Sequence, residues 1–112
     1  MQIEVKGRNC PVSDELRERT ERRLSKVAKQ VSDLARVEVE LHEERNPANP
    51  EAYVAEITLY LKGVTLRAKE ATRDMDHSVN LAAEEMARQV KRHREKRRKR
   101  REARGPSTQP AV

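Results

Sequence analysis

The residues able to act as acids, bases, nucleophiles or metal ligands are sparse and poorly spaced for joint chemistry. His42, His77 and His93 show neither i,i+4 nor HExxH spacing. The single cysteine, Cys10, precedes Pro11, and no base lies within evident reach of it. It reads as a small apolar residue rather than a nucleophile. One cysteine also excludes a disulfide framework and a multi-cysteine metal site, and it fits a reducing compartment. The only glycines are Gly7, Gly63 and Gly105, so no glycine-rich loop can cradle a phosphate. The acid pairs Glu43-Glu44 and Glu84-Glu85 read as solvated charge. No catalytic constellation can be assembled, so neither an enzyme nor a bound cofactor or metal is expected.

The chemistry that is present is cationic. The chain of 112 residues carries a formal charge of +6, from 25 Lys+Arg against 19 Asp+Glu. Residues 88–104 hold eleven Lys/Arg and two Glu, a net of +9, leaving fourteen against seventeen, a net of −3, for the remainder. A solvated helix face usually mixes signs. A block this uniform is the footprint of a polyanion partner, with Arg88, Lys91, Arg92, Arg94, Arg97 and Arg98 as candidate contacts. With no Phe or Trp and only two Tyr, a base-stacking platform is not expected, since the sheet's outward face can offer Tyr60 at most. Recognition is expected to be of backbone and shape, carried by helices.

These cations must be positioned by a modest aliphatic core, because hydrophobic residues are 35% and charged residues 39% of the chain. No apolar run reaches the ~18 residues of a membrane span, and no signal peptide is evident. A one-domain, soluble, cytoplasmic protein is expected. Ile3 and Val5 alternate with Gln2, Glu4 and Lys6 in a short strand, interrupted by Gly7 and the Cys10-Pro11 pair. Ser13 is placed to cap a helix running to about Val31, with Leu16, Leu24, Val27, Ala28 and Val31 on one stripe. Arg19, Arg22, Arg23, Lys26 and Lys29 gather on one flank of it, although pairs such as Glu15–Arg19 and Glu18–Arg22 account for part of that set.

Val37, Val39 and Leu41 face inward in a second strand, and residues 43–51, with two Asn-Pro pairs, form a loop. Residues 52–62 alternate again, with Val54, Glu56, Thr58 and Tyr60 outward. A Lys62-Gly63 turn leads into a fourth strand through Val64, Leu66 and Ala68. Asp74 opens the last helix, whose stripe is Met75, Val79, Ala82, Ala83, Met86 and Val90. Past His93 that face becomes Arg94, Arg97 and Arg101, so the helix runs off the core or frays there. Leu81 lies off the stripe and is expected to contact the first helix. The order β-α-β-β-β-α predicts an α+β fold: a four-stranded sheet with a parallel first pair, an antiparallel meander, and two helices on one face.

Several segments then carry a resemblance: Ile3-x-Val5-Lys6-Gly7-Arg8-Asn9; Arg23-Leu24-Ser25-Lys26-Val27; Arg73-Asp74-Met75; and Met86-Ala87-Arg88-Gln89-Val90-Lys91-Arg92. In this combination, over about residues 1–96, the chain resembles the ribosome hibernation-promoting factors, also called ribosome-associated inhibitor A or ribosomal subunit interface proteins. The resemblance implies a dsRBD-like fold docking on the small ribosomal subunit, or the 70S ribosome, near the decoding centre. Basic helices there contact 16S rRNA and occlude mRNA and tRNA, a stress response without catalysis. The matching positions are Arg23, Lys26, Arg88, Lys91 and Arg92. Asp76 stands where the family usually has Tyr.

The expected organisation is a ribosome-binding domain at 1–96, a basic helical extension at 97–104 and a disordered tail at 105–112. The resemblance implies a short form without a second, dimerising domain, monomeric off the ribosome. Two other readings stay open. One is a general double-stranded-RNA-binding or RNA-chaperone module. The other is a protein self-associating through Val79, Met86 and Val90.

Overall fold

A computed structural model describes residues 1–44 and 48–107, with side chains described to 102. The elements in chain order are β1 (Gln2–Arg8), α1 (Asp14–Arg23), α2 (Ser25–Ala28), β2 (Arg36–Glu43), β3 (Tyr53–Leu61), β4 (Val64–Thr72) and α3 (Met75–Ser107). The strands form one sheet in the order β1-β2-β3-β4. β1 pairs with β2 in parallel, Val5 against Val39, and the other two pairings are antiparallel. The expected α+β architecture is therefore the observed one, with the helices on a single face.

Alternation dictates which face they cover. Val5, Val37, Val39, Leu41, Ala55, Ile57, Leu59 and Ala68 are buried on the inner face, against Leu24, Val27, Met75, Val79, Ala82, Ala83, Met86 and Val90 from the helices. Each large aliphatic side chain withdrawn from water contributes about 1.5–3 kcal/mol, so this cluster is the main stabilising term. Two positions expected outward are buried as well, Val54 at 1% and Thr58 at 8% exposure. β3 is an interior strand. Thr58 sits in register between Glu38 and Arg67, and Val54 between His42 and Ala71, so cross-strand neighbours shield both.

Local signals explain most element ends. Ser13 accepts a hydrogen bond from the Leu16 N–H at 3.1 Å, and Asp74 does the same for His77 at 3.1 Å, so both expected caps are formed. Gly63 turns the β3–β4 hairpin at φ +80°. β1 is longer than expected, because Gly7 continues it in register with Leu41 instead of interrupting it. A Cβ at Gly7 would stand 2.1 Å from the Cys10 carbonyl oxygen, so glycine there permits the chain to fold back beside the strand.

The single helix expected between Ser13 and Val31 is divided at Leu24, and its α-helical part ends at Ala28. One turn before the division, the Thr20 hydroxyl donates to the Leu16 carbonyl at 2.8 Å, a back-bond that bends helices. Leu24 N–H still donates to the Thr20 carbonyl at 3.1 Å, so the two segments stay joined across the division. At the other end of the chain, α3 continues through Gly105 and Pro106 to Ser107, past the point where the breaker-rich tail was expected to begin. The strong helix formers before those breakers propagate the helix into its last turn. Residues 108–112 of that tail, and 45–47 of the 43–51 loop, lie outside the described residues. Among the described residues, no helix is long and apolar enough to cross a membrane.

Candidate nucleic-acid interface

Two side-chain bonds set α1 against α3. Arg19 pairs with Asp76 at 2.5 Å, and Arg23 Nη1 donates to Asn80 Oδ1 at 2.7 Å. Each partner lies 57 positions further along the chain, so one step of four residues in α1 matches one step of four in α3. The helices therefore run parallel and in register. Asp76, at the position where a tyrosine was anticipated from the resemblance, becomes the carboxylate that pins Arg19, in a first turn where the helix dipole favours an acid. Arg19 also reaches Glu15 at 3.4 Å, so the intrahelical pair expected for it exists.

The base of α3 is fixed to the sheet. Buried Ser78 donates its hydroxyl to the Tyr53 carbonyl at 2.6 Å and lies 2.7 Å from the Thr72 hydroxyl. Further along, Gln89 donates to the Arg67 carbonyl of β4 at 2.7 Å. Beyond Val90 no described residue of α3 is buried, and the helix continues into solvent for seventeen more residues. At 1.5 Å per residue the overhang is about 25 Å long.

This frame determines where the candidate cations fall. Arg23 is half-buried and bridged to Asn80, whereas Lys26 is exposed. Both line a groove between α1–α2 and α3 that also takes in Arg22, Asn80, Glu84 and Arg88. Continuing along α3, Lys91, Arg94, Arg97 and Arg98 line the next hollow. The two helices thus bring Arg23, Lys26 and Arg88 together, and α3 extends the row. Arg92 does not join it. It faces the other side of α3, toward the β3–β4 turn, and Arg97 borders both hollows. That side also holds Lys62, Lys96 and Arg100, three cations the linear pattern did not single out, because only the tertiary fold brings the hairpin tip beneath the overhang.

Two of the candidate arginines are committed within the protein. Glu85 accepts from Arg88 at 3.0 Å and from Arg92 at 3.4 Å, and Gln89 also donates to it at 3.3 Å. The hydrogen bond from Arg88, then that from Gln89, holds the Glu85 carboxyl below the usual carboxylate range, with the charges of Arg88 and Arg92 adding to the effect. Arg98 lies 3.8 Å from Glu102. Among the described residues, no carboxylate comes within 4.0 Å of the charged groups of Lys26, Lys91, Arg94 or Arg97.

Leu81, expected against the first helix, instead lies over the end of β4, beside Ala71, Thr72 and His77. The α1-facing side of α3 is the line Asp76, Asn80, Ala83 and Ala87, and Leu81 is about 100° beyond Asn80. On the sheet's open face, Arg36 sits 4.6 Å from the Tyr60 ring centroid, and the Tyr60 hydroxyl reaches Glu38 at 3.3 Å. The tyrosine ring on that face is thus already occupied. Cys10 stays a weakly acidic thiol, pushed up by burial and then by Glu43.

A four-stranded α+β sheet, covered on one face by parallel helices of which one overhangs as a cationic rod, is the class of domain these features define. Residues 3–98 match the model of the family described as Sigma 54 modulation protein / S30EA ribosomal protein, and the chain belongs to that family. It is similar to a ribosome hibernation promotion factor of Picosynechococcus sp., 29% identical over 97 residues that cover 86% of this chain and 50% of that one. A ribosome hibernation promoting factor of Azotobacter vinelandii is 27% identical over 110 residues, 98% of each chain. The chain thus spans about half the length of the first relative and nearly all of the second.

Among solved structures, a ribosomal subunit interface protein from Coxiella burnetii superposes with a TM-score of 0.70 at 23% identity, over 84% of this chain and 98% of that one. The N-terminal domain of Thermus thermophilus Protein Y also gives 0.70, at 26% identity, over 83% and 99%.

Proposed function

We propose that this chain is a ribosome-associated hibernation factor that binds 16S rRNA of the small subunit and inhibits translation by occupying the space of mRNA and tRNA. The observation that carries this reading is the coincidence of the family match with a cationic row continuous from α1 and α2 into the overhang of α3. Such a row neutralises phosphates without reading bases, which suits a folded RNA recognised by backbone and shape. Within it, Arg23, Lys26, Arg88, Lys91, Arg94 and Arg98 meet phosphates along the α1 side, and Arg92 and Arg97 add contacts from the other side. No chemical step is invoked; inhibition is by occlusion.

The test is co-sedimentation of the full chain with purified 30S subunits and 70S ribosomes in a low-salt gradient. The wild type is expected in the ribosomal fractions, and R88E/K91E/R92E at the top. Wild-type protein remaining at the top would overturn the reading. Competition with an unrelated duplex RNA separates it from a general duplex-binding module, which would be displaced from ribosomes by equal amounts of duplex. Self-association through Val79, Met86 and Val90 is disfavoured because all three are at most 1% exposed in the core. A monomeric mass by light scattering is expected off the ribosome.

A further inference from the structure

The cations beneath the overhang of α3 form a concave feature of their own. The sheet ends at the Lys62-Gly63 turn while α3 continues past it, and the two diverge around a cleft of about 910 Å³. One wall is the hairpin, with exposed Lys62 and half-buried Val64 and Leu66. The other is α3, with Arg92, Lys96, Arg97 and Arg100 around a half-buried His93. The one carboxylate lining the cleft, Glu85, is already bonded to Arg88, Arg92 and Gln89. Among the described residues, no acid lies within 4.0 Å of the charged groups of Lys62, Lys96, Arg97 or Arg100. A concavity lined by cations of one sign focuses a positive potential and is relieved by an anion that fills it.

We infer that this cleft is a second RNA site, taking an unpaired strand between the β3–β4 turn and the α3 overhang. The class of strand follows from the lining. A duplex presents phosphates outward and hides its base faces, so it matches the open row along α1 and α3. An unpaired strand exposes both phosphates and base faces. The cleft offers cations for the former, and an imidazole beside the aliphatic surface of Val64 and Leu66 for the latter. The cleft and the α1-side row lie on different sides of α3 and meet only at Arg97, so one molecule can hold an unpaired strand and a folded segment together. This rests on the reading of the chain as an RNA binder.

The experiment uses the full chain and two labelled probes, a mixed-sequence single-stranded RNA of ten nucleotides and a duplex of sixteen base pairs, with binding followed by anisotropy. K62E/R100E alters the cleft and K26E/K91E the α1-side row, with the same change in charge; all four residues are exposed, and thermal melts verify folding. K62E/R100E is expected to weaken the single strand about tenfold or more, and K26E/K91E to weaken it far less, with the order reversed for the duplex. In NMR, the His93 ring signals, assigned with H93Q, should shift on adding the single strand.

Equal losses for both variants on both probes, or a His93 signal unmoved by saturating single strand, overturn the inference. Failure of the wild type to co-sediment with ribosomes, with the single-strand result as expected, overturns the proposed function and leaves the cleft standing.

Discussion

Glu85 is the residue on which the proposed interface turns. It is the acid that holds Arg88 and Arg92, so in the proposed complex phosphate would compete with an internal carboxylate for both guanidinium groups. E85Q releases that competition and is expected to tighten RNA binding several-fold at low salt, measured by anisotropy against wild type. The depressed carboxyl also contributes to stability. That contribution is present above the unfolded-state value of about 4.3 and is lost as pH falls through the lower folded value. The stability advantage of wild type over E85Q in urea titrations should therefore hold at pH 7 and shrink as pH falls below the unfolded-state value. Gly7 is a residue of a different kind. Since a Cβ there meets the Cys10 carbonyl and the Val12 side chain, G7A should cost about 1–3 kcal/mol, read as a lower urea midpoint at unchanged slope.

At the scale of elements, α3 depends on its first turns. Asp74 caps it, and Thr72, Ser78 and Tyr53 tie that end to the sheet. D74A should lower stability by about 1 kcal/mol in chemical denaturation, without altering RNA affinity at saturating folded protein. Much of this architecture is legible in the chain itself. The alternation of Val37, Val39 and Leu41, the caps at Ser13 and Asp74 and the glycine at 63 are local signals, and each produced the element it announced. What was not legible depends on neighbours distant in sequence. Val54 is buried because His42 and Ala71 flank it across strands. Leu81 points to β4 because the parallel register of α1 and α3 assigns the shared seam to Asp76 and Asn80. The same holds for the proposed interface: the basic run is visible in residues 88–104, but the Glu85 clamp and the placement of Lys62 beneath the overhang exist only after folding.

For the whole molecule, the division of charge is a division of space. On the open sheet face, opposite charges pair locally, Lys6 with Glu4, Arg8 with Glu40 and Arg36 with Glu38, whereas the overhang leaves most of its cations unpaired among the described residues. Binding should fall steeply with salt, and about six phosphate contacts imply a log–log slope of roughly −4 to −5. Ending the chain after Lys96 removes six Lys/Arg and one Glu and leaves every described buried residue in place. That variant should melt within about 2 °C of wild type yet show a shallower salt slope, measured by calorimetry and by anisotropy at several salt concentrations.

The position of α3 also governs how the chain comes into being. It follows all four strands, so during synthesis every strand residue is made before the Met75–Val90 stripe. Until then Val37, Val39, Leu41, Ile57 and Leu59 have only Leu24 and Val27 of the helices to cover them, and the rest of that apolar face is open to other nascent chains. That face is fully covered only once the stripe through Val90 has emerged and packed against it. The arginine-rich stretch made immediately afterwards repels its counterparts on neighbouring chains.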